Sequence, residues 1–150
     1  MTDVQLRDVE HADLEVFLAQ EHDPEAAARS QFPPRPRERF MTHWETKVLG
    51  DPTNHVQAVT VDGTLAGNIV AWSEPDGRRF LGYWFGREWW GKGIGTRALR
   101  LFLEREPARP LYADPVATNT GSVRLLEKCG FTREEVVRHG DNEHVVLVLR

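Results

Sequence analysis

The stretch Tyr83-Trp84-Phe85-Gly86-Arg87-Glu88-Trp89-Trp90-Gly91-Lys92-Gly93-Ile94-Gly95-Thr96-Arg97-Ala98-Leu99 leaves the chain few ways to fold. Leu81, Tyr83 and Phe85 alternate with Phe80, Gly82 and Trp84, a composition suited to a strand buried on both faces. Past the turn, Ile94, Ala98 and Phe102 recur at helical spacing, and Leu99 and Leu103 widen the stripe into a core-facing helix. Gly91, Gly93 and Gly95 occupy alternate positions where the strand gives way to that helix.

The first backbone N–H groups of a helix lack internal partners and carry the positive end of its dipole. Glycines there let an anion approach the backbone and permit the positive φ values that a cradle of amides requires. A pyrophosphate suits such a place. Gly86 to Gly93 spells G-x-x-x-x-G-K-G, and its last residue lacks the hydroxyl that a nucleoside-triphosphatase loop offers to Mg²⁺. Counted from Gly91, the dinucleotide pattern G-x-G-x-x-G fails at Thr96.

Trp90-Gly91-Lys92-Gly93-Ile94-Gly95 resembles the acyl-CoA-binding motif of the GCN5-related N-acetyltransferase superfamily, R/Q-x-x-G-x-G/A. Gly82-Tyr83-Trp84 and Trp90-Gly91-Lys92-Gly93 look most like the branch that contains ribosomal-protein N-terminal acetyltransferases. Trp90 departs from the usual Arg or Gln, which changes one side chain and leaves the amides in place.

A second motif supports the first. Asn119 to Phe131 reads as a helix with Thr120 as N-cap and Gly130 as C-cap, turning Val123, Leu125, Leu126 and Cys129 inward. Its sequence also resembles the superfamily pattern N-x-x-S followed by a helix ending in E-K-x-G-F. The implied fold is α/β (α+β), a mixed and mostly antiparallel sheet of six or seven strands with splayed central strands and about four flanking helices.

The remaining elements fit that expectation. Val4–Val9 reads as a strand, and Ala12–Gln20, Glu25–Ser30 and Arg37–Leu49 as helices, the last two separated by a proline-rich segment. Val56–Val61 and Thr64–Ser73 flank Asp62-Gly63, a type I′ hairpin signal, and Glu74 to Gly77 leads into the strand Arg79–Phe85. The helix Gly93–Glu106 precedes a short strand, Leu111–Ala113. Arg133–Arg138 and His144–Leu149 form the last hairpin, with Val136 and the Val145–Leu149 run in the core and Gly140-Asp141-Asn142 as the turn.

At 150 residues the chain is expected to be one domain, large enough to bury roughly two thirds of its unfolded surface. A net charge of −4 gives no footprint for nucleic acid. The single cysteine, Cys129, excludes an intrachain disulfide, and the six scattered histidines show no metal-ligand spacing. With no signal-like or membrane-length apolar run, the reading is a soluble, cytoplasmic protein without a metal, and a homodimer is compatible with it.

The resemblance implies acetyl-CoA as cosubstrate and a primary amine as acceptor, either a small molecule or a protein N-terminus. It implies that the strand around Tyr83, Trp84 and Phe85 presents main-chain groups to the pantetheine. It also places the pyrophosphate on Gly91, Lys92, Gly93, Ile94, Gly95 and Thr96, with Trp90, Asn119, Ser122 and Lys128 completing the binding set. Many members carry a tyrosine acid in the second motif, where this chain has Leu126. Ser122 is then the candidate acid, carried over from the ribosomal-type branch. Asp114 and Tyr83 are candidate bases, and a water chain is a third possibility. Gln31, Phe32, Arg35 and Arg39 are expected to line the acceptor pocket. The alternatives are a noncatalytic acyl-CoA-binding module and, more remotely, a nucleotide hydrolase.

Overall fold

Asp62 and Gly63 adopt φ values of 49° and 84°. Two consecutive positive values are what a type I′ turn requires, and they set the register of β2 (His55–Val61) on β3 (Thr64–Ser73). In the computed structural model, which describes residues 2–150, this hairpin belongs to a seven-stranded sheet. Its other strands are β1 (Val4–Arg7), β4 (Arg79–Phe85), β5 (Leu111–Ala113), β6 (Thr132–His139) and β7 (Asn142–Leu149). They run in the order β1-β2-β3-β4-β5-β7-β6. Every neighbouring pair is antiparallel except β4 and β5, which run parallel and pair only at Arg79↔Leu111 and Phe80↔Tyr112.

Among the described residues five helices flank the sheet, as many as the residue patterns give and one more than the resemblance implies. On the first face, α4 (Ile94–Arg105) and α5 (Thr120–Lys128) bury Ile94, Ala98, Leu99, Phe102, Val123 and Leu126. These pack with strand residues that include Ile69, Leu81, Leu111 and Leu147. On the second face, α1 (Asp13–Glu21) and α3 (Arg37–His43) bury Leu14, Phe17 and Phe40, with Trp44, Val48 and Ala58 beside them. Between these two helices lies α2 (Pro24–Ser30), N-capped by Asp23, whose Oδ1 accepts from the N–H groups of Glu25 and Ala26 at 2.8 and 3.4 Å. A third cluster, Phe80, Tyr112, Val146 and Val148, is built from strand residues alone. The Arg78 guanidinium lies over the rings of Phe80 and Tyr112, with its carbon 5.0 and 5.4 Å from their centroids.

Several local expectations change. The first strand ends at Arg7 and not Val9, because both Arg7 terminal nitrogens donate to the Asp13 carboxylate at 2.7 and 2.9 Å and turn the chain into α1. The span read as one helix to Leu49 changes hydrogen bonding after His43. Trp44–Val48 is a π-helical turn in which the Leu49 N–H donates to the Trp44 carbonyl at 2.8 Å. The N-cap of α5 is Asn119, one residue before Thr120, and its Oδ1 accepts from the Ser122 N–H at 3.4 Å. At the other end Gly130 has a φ of 98°, and the N–H groups of Gly130 and Phe131 donate to the carbonyls of Glu127 and Leu126. That is a Schellman closure, in which Gly130 is the left-handed residue just beyond the cap. Val136 is not in the core. It is 60 % exposed on β6, the outermost strand.

Candidate active site

The short β4–β5 ladder creates the site. Beyond Phe80 and Tyr112 the two strands have no further pairs, and a cleft of about 720 Å³ opens beside Leu81–Phe85 on one side and Ala113–Val116 on the other. On β4 the main-chain groups alternate in direction. The Gly86 N–H donates to the Ala66 carbonyl on β3, continuing the register Phe85↔Gly67. Gly86, Trp84 and Gly82 therefore turn their main-chain groups to β3, and Phe85, Tyr83 and Leu81 turn theirs to the gap. The Phe85 carbonyl in the gap accepts from the indole nitrogen of Trp90 at 3.0 Å.

At one end of the cleft stands the glycine corner. Gly91 and Gly93 have φ values of 72° and 76°, and a Cβ built on either would meet nothing within 4 Å. These two glycines are needed for backbone conformation, and they leave the approach open. The first intrahelical bond of α4 runs from the Arg97 N–H to the Gly93 carbonyl, so Ile94, Gly95 and Thr96 hold N–H groups without helical partners, and all three residues line the cleft. Gly95 has a different cause. A Cβ there would lie 2.5 Å from Leu125 Cδ1, so a side chain at this position would displace the end of the Leu125 side chain on α5.

Of the expected binding residues, Trp84, Phe85, Trp90, Asn119, Ser122 and Lys128 also line the cleft. Lys92 does not; its ammonium lies 5.8 Å from the centroid of the Trp89 ring. Two cations that the sequence reading did not include, Arg29 and Arg124, do line it. The Arg29 guanidinium carbon sits 4.5 Å from the centroid of Trp90.

Tyr83 and Ser122 meet inside the cleft. Their hydroxyl oxygens are 2.6 Å apart, and the phenol also donates to the Ser122 carbonyl at 3.2 Å. Burial pushes the phenol above its ordinary value, against the opposing hydrogen bond from Ser122. The phenol is therefore protonated at neutral pH.

Asp114 follows β5 on the opposite wall. Burial pushes its carboxyl up, while His144 and His139 pull it down. The His139 Nε2 lies 3.9 Å from Asp114 Oδ2, and the Asp114 carbonyl accepts from His144 Nδ1 at 2.7 Å. Because a carbonyl can only accept, Nδ1 carries the proton of this hydrogen bond. Sequence reading missed His144. Its only available signal was its place in the alternation of β7, where His144, Val146 and Val148 share a face.

The expected acceptor residues do not gather at the cleft, although the Arg35 guanidinium carbon lies 5.4 Å from the centroid of the Phe32 ring. Phe32 lines the cleft, but Arg35 pairs with buried Glu21 at 2.7 Å, Arg39 lies in a separate depression with Glu38 and His43, and the Gln31 side chain donates to the Ala28 carbonyl. Among the described residues no group of His, Cys, Asp and Glu is arranged to hold a metal, and no helix is long and apolar enough to cross a membrane.

YjcK, a probable N-acetyltransferase of Bacillus subtilis, is 29% identical over 106 residues, which are 65% of this chain and 59% of that protein. The chain thus matches less than two thirds of that relative's length. The aminoglycoside acetyltransferase AAC(6')-Ib in complex with coenzyme A has the same fold, with a TM-score of 0.82 at 20% identity over 98% of this chain and 94% of that one. RimL, a ribosomal L7/L12 α-N-protein acetyltransferase in complex with coenzyme A, gives 0.80 at 15% identity over 97% and 93%. The sequence profile of the acetyltransferase (GNAT) domain matches residues 3–132. A profile match over most of the chain, on a sheet opened between its fourth and fifth strands, makes this protein a member of the GNAT acetyltransferase family.

Proposed function

We propose that the protein transfers an acetyl group from acetyl-CoA to a primary amine by direct attack. The observation that carries this reading is the edge of β4 at Tyr83 and Phe85, which no strand covers, running toward a helix N-terminus kept open by Gly91 and Gly93. An extended pantetheine arm pairs with such an edge as a strand would, and a pyrophosphate suits the free amides of Ile94, Gly95 and Thr96. Arg29, Arg124 and Lys128 supply positive charge around the same cleft.

In the reaction the amine lone pair attacks the thioester carbonyl carbon, the carbonyl oxygen takes up negative charge, and the C–S bond then breaks to release the thiolate. Main-chain N–H groups of β4 facing the gap stabilise the oxyanion, a role worth about 3 to 4 kcal/mol per donor where it has been measured. Asp114, its carboxyl raised by burial, takes the proton that the attacking ammonium must lose. The hydroxyls of Tyr83 and Ser122 share one hydrogen bond at 2.6 Å, and this pair supplies the proton that the departing sulfur takes up. A phenol delivered by β4 thereby makes up for Leu126 on α5, whose apolar side chain motivates the noncatalytic alternative.

Two measurements test the reading. Calorimetry should show acetyl-CoA binding, and free thiol should appear when a panel of amines is added. Binding without thiol release for any amine would leave only a binding module, and absence of binding would remove the proposal.

A further inference from the structure

The second face of the sheet says what kind of amine fits. On β3, β4 and β5 the residues Ala71, Leu81 and Ala113 point into the core beneath α4 and α5. Their neighbours Trp72, Gly82 and Asp114 therefore point to the other side, as does Trp84. All four line the cleft, and Phe32 joins them from the loop after α2, its ring set edge-on to Trp84 at 6.1 Å and 70°. A Cβ on Gly82 would stand 3.3 Å from the Trp72 ring, so the absent side chain there is what lets the indole lie across the strand. The result is a space walled by Trp72, Trp84 and Phe32 with a carboxylate across the gap.

Negative charge on that space is sparse. Among the described residues Asp114 is the only carboxylate lining the cleft. Glu74, the other acid acting on Asp114, accepts from the Trp72 indole nitrogen at 3.0 Å and does not line the cleft. His139 and His144 are the remaining titratable groups beside Asp114. One ammonium can be matched by Asp114. A second would meet aromatic faces, whose attraction for a cation at a partly exposed site is smaller than the loss on desolvating it. Phe32 itself is 40 % exposed, a large apolar ring left in contact with water beside the cleft.

We infer that the acceptor is a single primary amine carried on an apolar body of aromatic size, and not a polyamine or a multiply charged sugar. The inference rests on the acetyl-transfer reading above and narrows its acceptor. The same chemistry is offered by a free arylalkylamine and by the N-terminus of a peptide whose first residue is aromatic.

The test compares kcat/KM from thiol release at saturating acetyl-CoA for 2-phenylethylamine, n-butylamine, spermidine, kanamycin and a tetrapeptide beginning with phenylalanine. The aromatic monoamine or the peptide should exceed spermidine and kanamycin by at least about tenfold, the size expected when a pocket matches or misses an apolar group. Whichever of the two is faster identifies the source. Phe32→Ala, at an exposed position whose truncation leaves the core intact, should lower the ratio of phenylethylamine to butylamine by about fivefold, within the range for one apolar contact. Faster turnover of spermidine or kanamycin, or an unchanged ratio in Phe32→Ala, overturns the inference while the acetyl-transfer reading stands. No turnover with any amine, in a protein that binds acetyl-CoA, overturns both.

Discussion

The phenolic oxygen of Tyr83 lies 2.6 Å from Ser122 Oγ and ties the middle of β4 to the first turn of α5 across the cleft. Two hydroxyls so close act as one donor chain. Tyr83→Phe and Ser122→Ala should each lower kcat by about 10²-fold, the lower end for loss of a positioned proton donor. The double variant should be little worse than the poorer single, since groups that act as a unit do not add. Steady-state kinetics of the four proteins would check this, and multiplicative losses would separate the two roles.

Asp114 should set the acidic limb of kcat/KM. A base works when deprotonated, so the rate falls as pH drops through its value, which burial holds above the ordinary carboxylate range. Asp114→Asn should abolish that limb and cost about 10²- to 10⁴-fold. A limb that persists in the variant would assign the proton to another group.

Gly93 tests the phosphate corner. Its φ of 76° disfavours any side chain, at about 1–2 kcal/mol for a left-handed residue, and nothing stands within 4 Å of its Cβ position. Gly93→Arg should therefore still fold, with a small loss in Tm, while its long side chain obstructs the open amides and weakens acetyl-CoA by at least about tenfold, or about 1.4 kcal/mol. Calorimetry showing undiminished affinity would contradict the assignment.

Gly95 should respond differently. The clash with Leu125 makes Gly95→Leu an overpacking change that costs about 1–3 kcal/mol and lowers Tm. Leu125→Ala in the same chain should recover part of the loss. Thermal denaturation of the single and double variants separates this packing role from ligand contact.

Arg7 and Asp13 predict a pH effect on folding. The hydrogen bonds from Arg7 hold the Asp13 carboxyl below its ordinary value, so the pair's contribution is complete above the unfolded value of about 3.9 and disappears as pH falls through the lower folded value. Asp13→Asn should flatten that acid dependence. It should also cost about 1–3 kcal/mol at neutral pH, because Asp13 is 6 % exposed and its guanidinium partner is left unmatched. Denaturant titrations between pH 3 and 7, a window of about one decade below to three above the carboxylate value, would show it.

Local chemistry was legible in the sequence, and contacts between distant segments were not. Asp62-Gly63 announced its hairpin because the turn needs two positive φ values in succession, and Gly130 announced the end of α5 for a similar reason. The glycine corner was read correctly as open backbone at Gly91 and Gly93. At Gly95 the same residue type answers to Leu125 on another helix, which no local pattern reveals. Arg35 and Arg39 read as pocket residues because the resemblance puts substrate-selecting elements between the first strand and the central hairpins, yet a buried Glu21 claims the first and the second lies in a separate depression. Tyr83 and Ser122 were each singled out, while their contact depends on how α5 lies against β4. His144 reaches Asp114 only because β7 inserts between β5 and β6.

The two-rung ladder between β4 and β5 also bears on what substitutions the family member can tolerate. Lengthening β5 in register with Leu81 and Gly82 would satisfy main-chain groups now left open, and by the measure of folding alone it would be an improvement. It would also zip the cleft shut. Here, then, a more complete sheet and an open cleft are competing outcomes, and the three-residue length of β5, Leu111 to Ala113, decides between them.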